Sequence, residues 1–80
     1  MKRSKLDKLL HEAEVLEKKI VAFHKVRRRI AQLSDEMKDD PYCLEALLSI
    51  DKNIFNMLVF MQRGLVRLRE SIKRLEREDT

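Results

Sequence analysis

The stretch MKDDPYC at residues 37–43 decides the fold, because it carries the one proline of the chain and its strongest turn signal. Pro41 disfavours helical geometry at the residue before it, so a helix that reaches this point ends there. Asp is a preferred N-cap, and proline fits the first position of a helix, where its missing N–H costs nothing. The sequence therefore predicts a turn at residues 39–40 with a helix on either side.

Apolar residues on both sides of this turn recur at alternating steps of three and four, which is typical of helices that pack along one face. Before the turn they are Leu6, Leu9, Ala13, Leu16, Ile20, Phe23, Val26, Ile30, Leu33 and Met37. After the turn they are Leu47, Ile50, Ile54, Leu58, Met61, Leu65, Leu68, Ile72 and Leu75. The first series takes two successive steps of three around Val26, which predicts a stammer in the heptad repeat.

These patterns predict an all-α fold, a long antiparallel helical hairpin forming one domain over residues 1–80. The first helix is expected over about 5–38, with Ser4 as its N-cap, and the second over about 41–73, followed by a C-terminal tail to residue 80. Gly64 lies inside the second helix, where glycine costs about 1 kcal/mol. A break of the second helix at Gly64, which would produce a short third helix, is therefore an alternative.

Self-assembly is expected because the hairpin has more apolar surface than its two helices hide from each other. A chain of 80 residues buries only roughly 60% of its unfolded surface when it folds alone. Residues 54–61 are apolar almost all round the helix, and one partner helix covers only one of those directions. The sequence therefore predicts a homodimer or homotetramer built as a four-helix bundle.

Composition and motifs exclude several classes of protein. The chain is 44% hydrophobic and 40% charged, and it has no Gly-rich phosphate loop, GxSxG, HExxH or CxxC motif. We therefore predict that it is not an enzyme. No apolar run approaches the ~20 residues that span a bilayer, so no membrane partner is expected. A single cysteine indicates a reducing compartment, and the expected location is cytoplasmic.

A basic cluster lies in the first helix at Lys25, Arg27, Arg28 and Arg29. No acidic residue stands three or four positions from any of the three arginines, so pairing along the helix does not explain them. One interpretation is that they contact the phosphates of double-stranded DNA, which suits the net charge of +4. The alternative is a solvated helix face with no role in nucleic-acid binding.

Cys43, His11 and His24 are the candidate sensor or ligand residues. Cys43 is predicted as the third residue of the second helix, where free N–H groups lower the pKa of a thiol and favour a reactive or metal-binding thiolate. The alternative is a half-buried cysteine that acts as a small hydrophobe. The two histidines are thirteen residues apart and cannot chelate together within one chain. Cys43 with histidines from neighbouring chains could bind Cu(I) or Zn(II).

The middle of the chain resembles the CsoR-type repressors, a family of small helical proteins that sense copper, nickel, formaldehyde or persulfide. Residues 25–33, KVRRRIAQL, occupy the place of the family's R-I-E-G-Q-V-R-G-I segment. Residues 39–43 match its acidic loop ending in Tyr-Cys, and Leu47 and Ile50 match the apolar positions that follow. The register holds from about residue 20 to residue 72.

The resemblance implies a homotetramer of two dimers that binds operator DNA through basic helix faces and releases it when a sensor site is filled. In the copper sensors that site joins the loop cysteine, here Cys43, to a His and a Cys of the partner's second helix. Those two positions are Leu68 and Ile72 in this chain, and neither side chain binds a metal. Arg28 and Arg29 replace the family's Gly-Gln pair.

Two functions follow from the sequence. The first is a CsoR-like DNA-binding transcriptional repressor whose metal or thiol sensor site is degraded or altered. The second is an oligomeric helical-bundle module for protein interaction, without DNA binding. Residues 27–29 distinguish them: a contiguous solvent-facing basic surface favours the repressor, and arginines folded back onto acidic residues favour the module.

Overall fold

The computed structural model describes residues 2–78 and consists of two long helices joined by a short turn. Helix α1 spans Lys2–Glu36 and helix α2 spans Pro41–Glu78. The helices are antiparallel, since Arg27 contacts Asp51 while Glu17, further from the turn, contacts Arg69. The rod measures 60 × 14 × 14 Å. The predicted all-α helical hairpin is confirmed.

Both helices differ in their bounds from the sequence prediction. Helix α1 already includes Ser4, so Ser4 is not its N-cap, and the helix ends at Glu36 rather than near residue 38. Helix α2 runs past the expected end at residue 73 to Glu78, because Leu75 is half-buried and extends the packed face by another turn. Residues 79–80 of the expected tail lie outside the described residues. Helix α2 is continuous through Gly64, so no third helix forms there.

Asp40 begins helix α2 as its N-cap, as the sequence predicted. Its Oδ1 accepts hydrogen bonds from the backbone N–H groups of Tyr42 at 3.1 Å and Cys43 at 3.2 Å. Its own carbonyl accepts the first helical bond, from the N–H of Leu44 at 3.0 Å. These N–H donors stabilise the charged carboxylate and lower the pKa of Asp40. The cap fixes where α2 starts and so orients the two helices at the turn.

The packed face of each helix, here called the seam, repeats in steps of three and four without interruption. In α1 it comprises Leu6, Leu9, Ala13, Leu16, Ile20, Phe23, Arg27, Ile30 and Ser34. In α2 it comprises Leu44, Leu47, Asp51, Ile54, Leu58, Met61, Leu65, Leu68, Ile72 and Leu75. The predicted stammer is therefore wrong. Arg27 and Asp51 occupy seam positions because they form an ion pair with each other. The expected seam residues Val26 and Ile50 are instead 43% and 48% exposed.

The core along this seam is thin. Its buried residues are Ala13, Ile30, Leu58, Leu65 and Ile72. The radius of gyration is 18.0 Å, against about 12 Å for a compact chain of this length. The accessible surface is 6625 Å², against about 5,100 Å² for a compact monomer of the same mass. The hairpin therefore leaves about 1,500 Å² of surplus surface. Neither helix is both long and apolar enough to cross a membrane, as far as residues 2–78 are concerned.

Candidate interaction surfaces

Arg27 does not face outward, as a phosphate contact would require, but pairs with Asp51 across the seam. Its Nε donates to Asp51 Oδ1 at 2.9 Å and its Nη2 donates to Oδ2 at 3.1 Å, which is the bidentate geometry of a guanidinium on a carboxylate. The guanidinium also lies over the ring of Phe55, 5.0 Å from its centroid. The hydrogen bonds raise the pKa of Arg27 and lower the pKa of Asp51. The expected role of Arg27 on a basic surface is therefore not supported by its position.

The other three members of the basic cluster remain on the outside of α1. Lys25, Arg28 and Arg29 are all exposed. Arg29 Nη1 donates to Gln32 Oε1 at 3.3 Å, one turn further along the helix. The cluster is thus divided, with one arginine in the seam and the rest free to meet an anionic partner.

A shallow groove lies beside the Arg27–Asp51 pair, between the two helices. Its apolar walls are formed by Ile30, Ala31 and Leu48, and His24 and Arg28 line it as well. The hydroxyl of Ser34 also belongs to this groove. Its Oγ is buried and has no hydrogen-bond partner among the described residues. The groove brings His24 and Arg28 of α1 beside Leu48 and Asp51 of α2, which the sequence alone did not indicate.

Cys43 occupies the third position of α2, as predicted, but its thiol does not have a lowered pKa. The neighbouring carboxylate of Asp40 accepts the thiol hydrogen bond and repels a thiolate, and both effects raise the pKa of Cys43. The side chain is exposed rather than half-buried. The expectation of a thiolate favoured by the helix start is therefore wrong, because the capping residue carries a charge of the same sign.

The three candidate ligands do not form a metal site within one chain. His11 is exposed in a shallow surface pocket with Arg3, Asp7 and Lys8, and His24 lines the groove on the same helix. Among residues 2–78, no cluster of three His, Cys, Asp or Glu side chains could hold a metal ion. A Cu(I) or Zn(II) site made by Cys43 and histidines of neighbouring chains stays a prediction.

The two sides of the hairpin can be distinguished by their position relative to the seam. Glu17 and Arg69 each follow a seam residue by one, and they contact each other through Oε1 and Nη2 at 2.6 Å. On both helices, the residues one position after a seam residue therefore lie on one side of the rod. The residues one position before a seam residue lie on the other side, which includes Val26 and Ile50.

That other side is here called the apolar flank. Exposed apolar residues also lie on the side of Glu17 and Arg69, namely Leu10, Val21, Leu48, Phe55 and Val66, and the apolar flank differs from that side in having fewer charged residues. On α2 the apolar flank comprises Cys43, Ala46, Ile50, Asn53, Met57, Phe60 and Gly64. On α1 it includes Val15, Ala22, Val26 and Leu33, with Lys19 and Arg29 at the same spacing. Phe60 is 73% exposed and lies at the middle of α2. These seven α2 residues include no charged side chain, over a span of 22 positions from Cys43 to Gly64.

Charge is segregated between the two ends of the rod. Residues 3–8 and 73–78, which meet at the open end, hold six Lys and Arg against three Asp and Glu. Residues 35–45, around the turn, hold one Lys against five Asp and Glu. The net charges of the two ends are thus opposite and of similar size.

No family model, curated protein or solved structure matches this chain. The resemblance to the CsoR-type repressors therefore remains an expectation drawn from residues 20–72. The surfaces of the chain that bear on its function are the apolar flank, the divided basic cluster and the two charged ends.

Proposed function

We propose that this chain is an oligomeric helical-bundle module whose function depends on association with copies of itself. The observation that carries the proposal is the exposed apolar flank, whose most exposed large side chain is Phe60. A stable protein interface takes about 800 Å² from each partner, and the surplus surface of about 1,500 Å² exceeds that. A second copy would cover the apolar side chains and complete a four-helix bundle. A cytoplasmic location belongs to the same proposal, since Cys43 is a free thiol.

Sedimentation equilibrium across a range of protein concentrations tests the proposal. We expect a dimer or tetramer at micromolar concentration, with dissociation on dilution. A chain that sediments as a folded monomer throughout the range would contradict it, because the apolar flank would then be stable in water. Circular dichroism on the same samples shows whether the helices are formed in each species.

A second candidate function is DNA binding as a repressor of the CsoR type. It is favoured by the exposure of Lys25, Arg28 and Arg29 on the outer surface of α1. The placement of Arg27 against Asp51 counts against it, since the cluster then offers fewer phosphate contacts. We rank it below the module for that reason.

Fluorescence anisotropy with a labelled DNA duplex at several salt concentrations tests this second function. Each neutralised phosphate adds about −0.9 to the slope of log K against log salt, so loss of Arg28 and Arg29 should reduce the slope by about 2 in a binding protein. The matched control is Lys18→Ala with Lys19→Ala, which removes two exposed charges elsewhere on the same helix. Absence of duplex binding by the wild type at low salt would exclude DNA binding.

A further inference from the structure

We infer that the partner on the apolar flank is a second copy of this chain running in the opposite direction, so that the open end of each hairpin lies beside the turn of the other. The inference rests on the self-association proposed above and adds the orientation of the partner. It follows from where the apolar side chains and the charges lie along the rod.

The exposed apolar residues of the flank lie between the turn and the middle of the molecule. Helix α2 spans residues 41–78, so its midpoint lies between Val59 and Phe60. The exposed apolar residues Ile50, Met57 and Phe60 lie within about 15 Å of that midpoint at 1.5 Å per residue. Two rods joined through this region therefore lie side by side over most of their 60 Å length.

A second copy can pack its apolar flank against that of the first with the two rods either parallel or antiparallel. In both directions the middle regions face each other, so their charges do not decide between the two. The ends do decide. A parallel pair sets the basic open ends together and the acidic turns together, whereas an antiparallel pair sets each basic end against an acidic turn.

The outermost charges of the flank agree with this choice. Lys5, Lys8, Arg67 and Arg74 lie on that side toward the open end, with Glu12 and Glu78 among them. Glu36 lies on that side at the turn, and Arg29 lies between Glu36 and the middle of the rod. In the antiparallel pair, Glu36 of one copy approaches the lysines and arginines of the other. Opposite potentials across an interface favour the matching orientation over the repulsive one.

Cys43 offers a direct test, because it is the only cysteine, is exposed and lies near the turn. It is 17 residues from Phe60, about 25 Å along the helix. Nitroxide labels on the two copies of Cys43 should be about 50 Å apart in an antiparallel dimer and within roughly 25 Å in a parallel one. Pulsed electron resonance measures this distance in solution at a concentration where sedimentation shows the dimer.

A label near the centre provides the matched control. Asn56→Cys, in a chain that also carries Cys43→Ser, lies within about 6 Å of the midpoint along the helix. It should give a distance below roughly 30 Å in either side-by-side orientation. A long distance from this label in a dimer indicates end-to-end contact and overturns the inference.

The outcomes separate the orientation from the association itself. A monomer at all concentrations overturns both. A dimer with a short Cys43 distance overturns only the orientation. The salt dependence of dissociation is an independent test, since raising the ionic strength from ~0.05 to ~0.5 M screens the charges at the two ends of each rod. The dissociation constant should rise about threefold or more for the antiparallel pair, and a constant that falls contradicts it.

Discussion

Replacing Phe60 by glutamine should weaken self-association while leaving the folded hairpin intact. Phe60 is 73% exposed, so its ring contributes little to the packing of α1 against α2. Full burial of such a side chain is worth about 1.5–3 kcal/mol, and the exposed share corresponds to about 1–2 kcal/mol. A symmetric dimer buries two copies, so the variant should lose about 2–4 kcal/mol of association free energy, a rise in dissociation constant of roughly 30- to 700-fold.

Sedimentation equilibrium measures this change, and thermal unfolding of the dilute monomer shows that the fold is unaffected. The matched control is Tyr42→Gln, which removes an even more exposed aromatic ring at the turn, away from the apolar flank. Its dissociation constant should stay close to that of the wild type. Equal dissociation constants for Phe60→Gln and the wild type would refute the reasoning, because the flank would then not be the interface.

Four further predictions concern the stability of the hairpin and its thiol. Gly64→Ala should stabilise the folded hairpin by about 0.5–1 kcal/mol and raise its Tm by about 3–6 °C, because the added Cβ meets only Leu16 Cδ2, at 3.7 Å. A lowered Tm, measured at a concentration at which the chain is monomeric, would contradict this. Asp51→Leu should lower the Tm by stranding Arg27, and adding Arg27→Leu should restore it, as differential scanning calorimetry can show. The lowered pKa values of Asp40 and Asp51 contribute stability above the ordinary carboxyl pKa of about 3.9, and this stability should disappear as the pH falls through the folded-state values; circular dichroism melts from neutral to acidic pH measure the loss. Asp40→Asn should lower the pKa of Cys43, which ultraviolet absorbance of the thiolate reports; an unchanged pKa would show that another group raises it.

Much of the fold could be predicted from local sequence signals. The cap at Asp40 and the start of α2 at Pro41 depend on neighbouring residues only, and the structure places both as expected. The turn is longer than the predicted residues 39–40, because α1 ends at Glu36 and residues 37–40 connect the helices. The helix ends at residues 2 and 78 were harder to predict, because Ser4 resembles a cap and the charged C-terminal stretch gives no clear stop. Leu75, the last apolar residue of the series, is the one signal that packing continues past residue 73.

The sequence pattern did not predict the positions at which the seam is polar. At three places the apolar pattern selected the residue one position before the polar residue that occupies the seam: Val26 before Arg27, Leu33 before Ser34 and Ile50 before Asp51. Arg27 and Asp51 are 24 residues apart in sequence, and only the pairing of the helices brings their charges together. The apolar pattern therefore placed Val26 and Ile50 in the interior, although both are exposed. Both belong to the apolar flank, the surface on which the proposed function depends.

The lone ionic layer in the seam also determines how the hairpin can vary. A slide of one helix along the other by a heptad, about 10 Å, would preserve most aliphatic contacts but bring Leu44 or Leu58 opposite Arg27. Arg27 and Asp51, whose side chains are 33% and 28% exposed, would then each lose the partner, so the alternative alignment is disfavoured although the leucines would tolerate it. Positions 27 and 51 are consequently free to change only as a pair, and a sequence in which both became leucine would gain cohesion but lose its unique alignment.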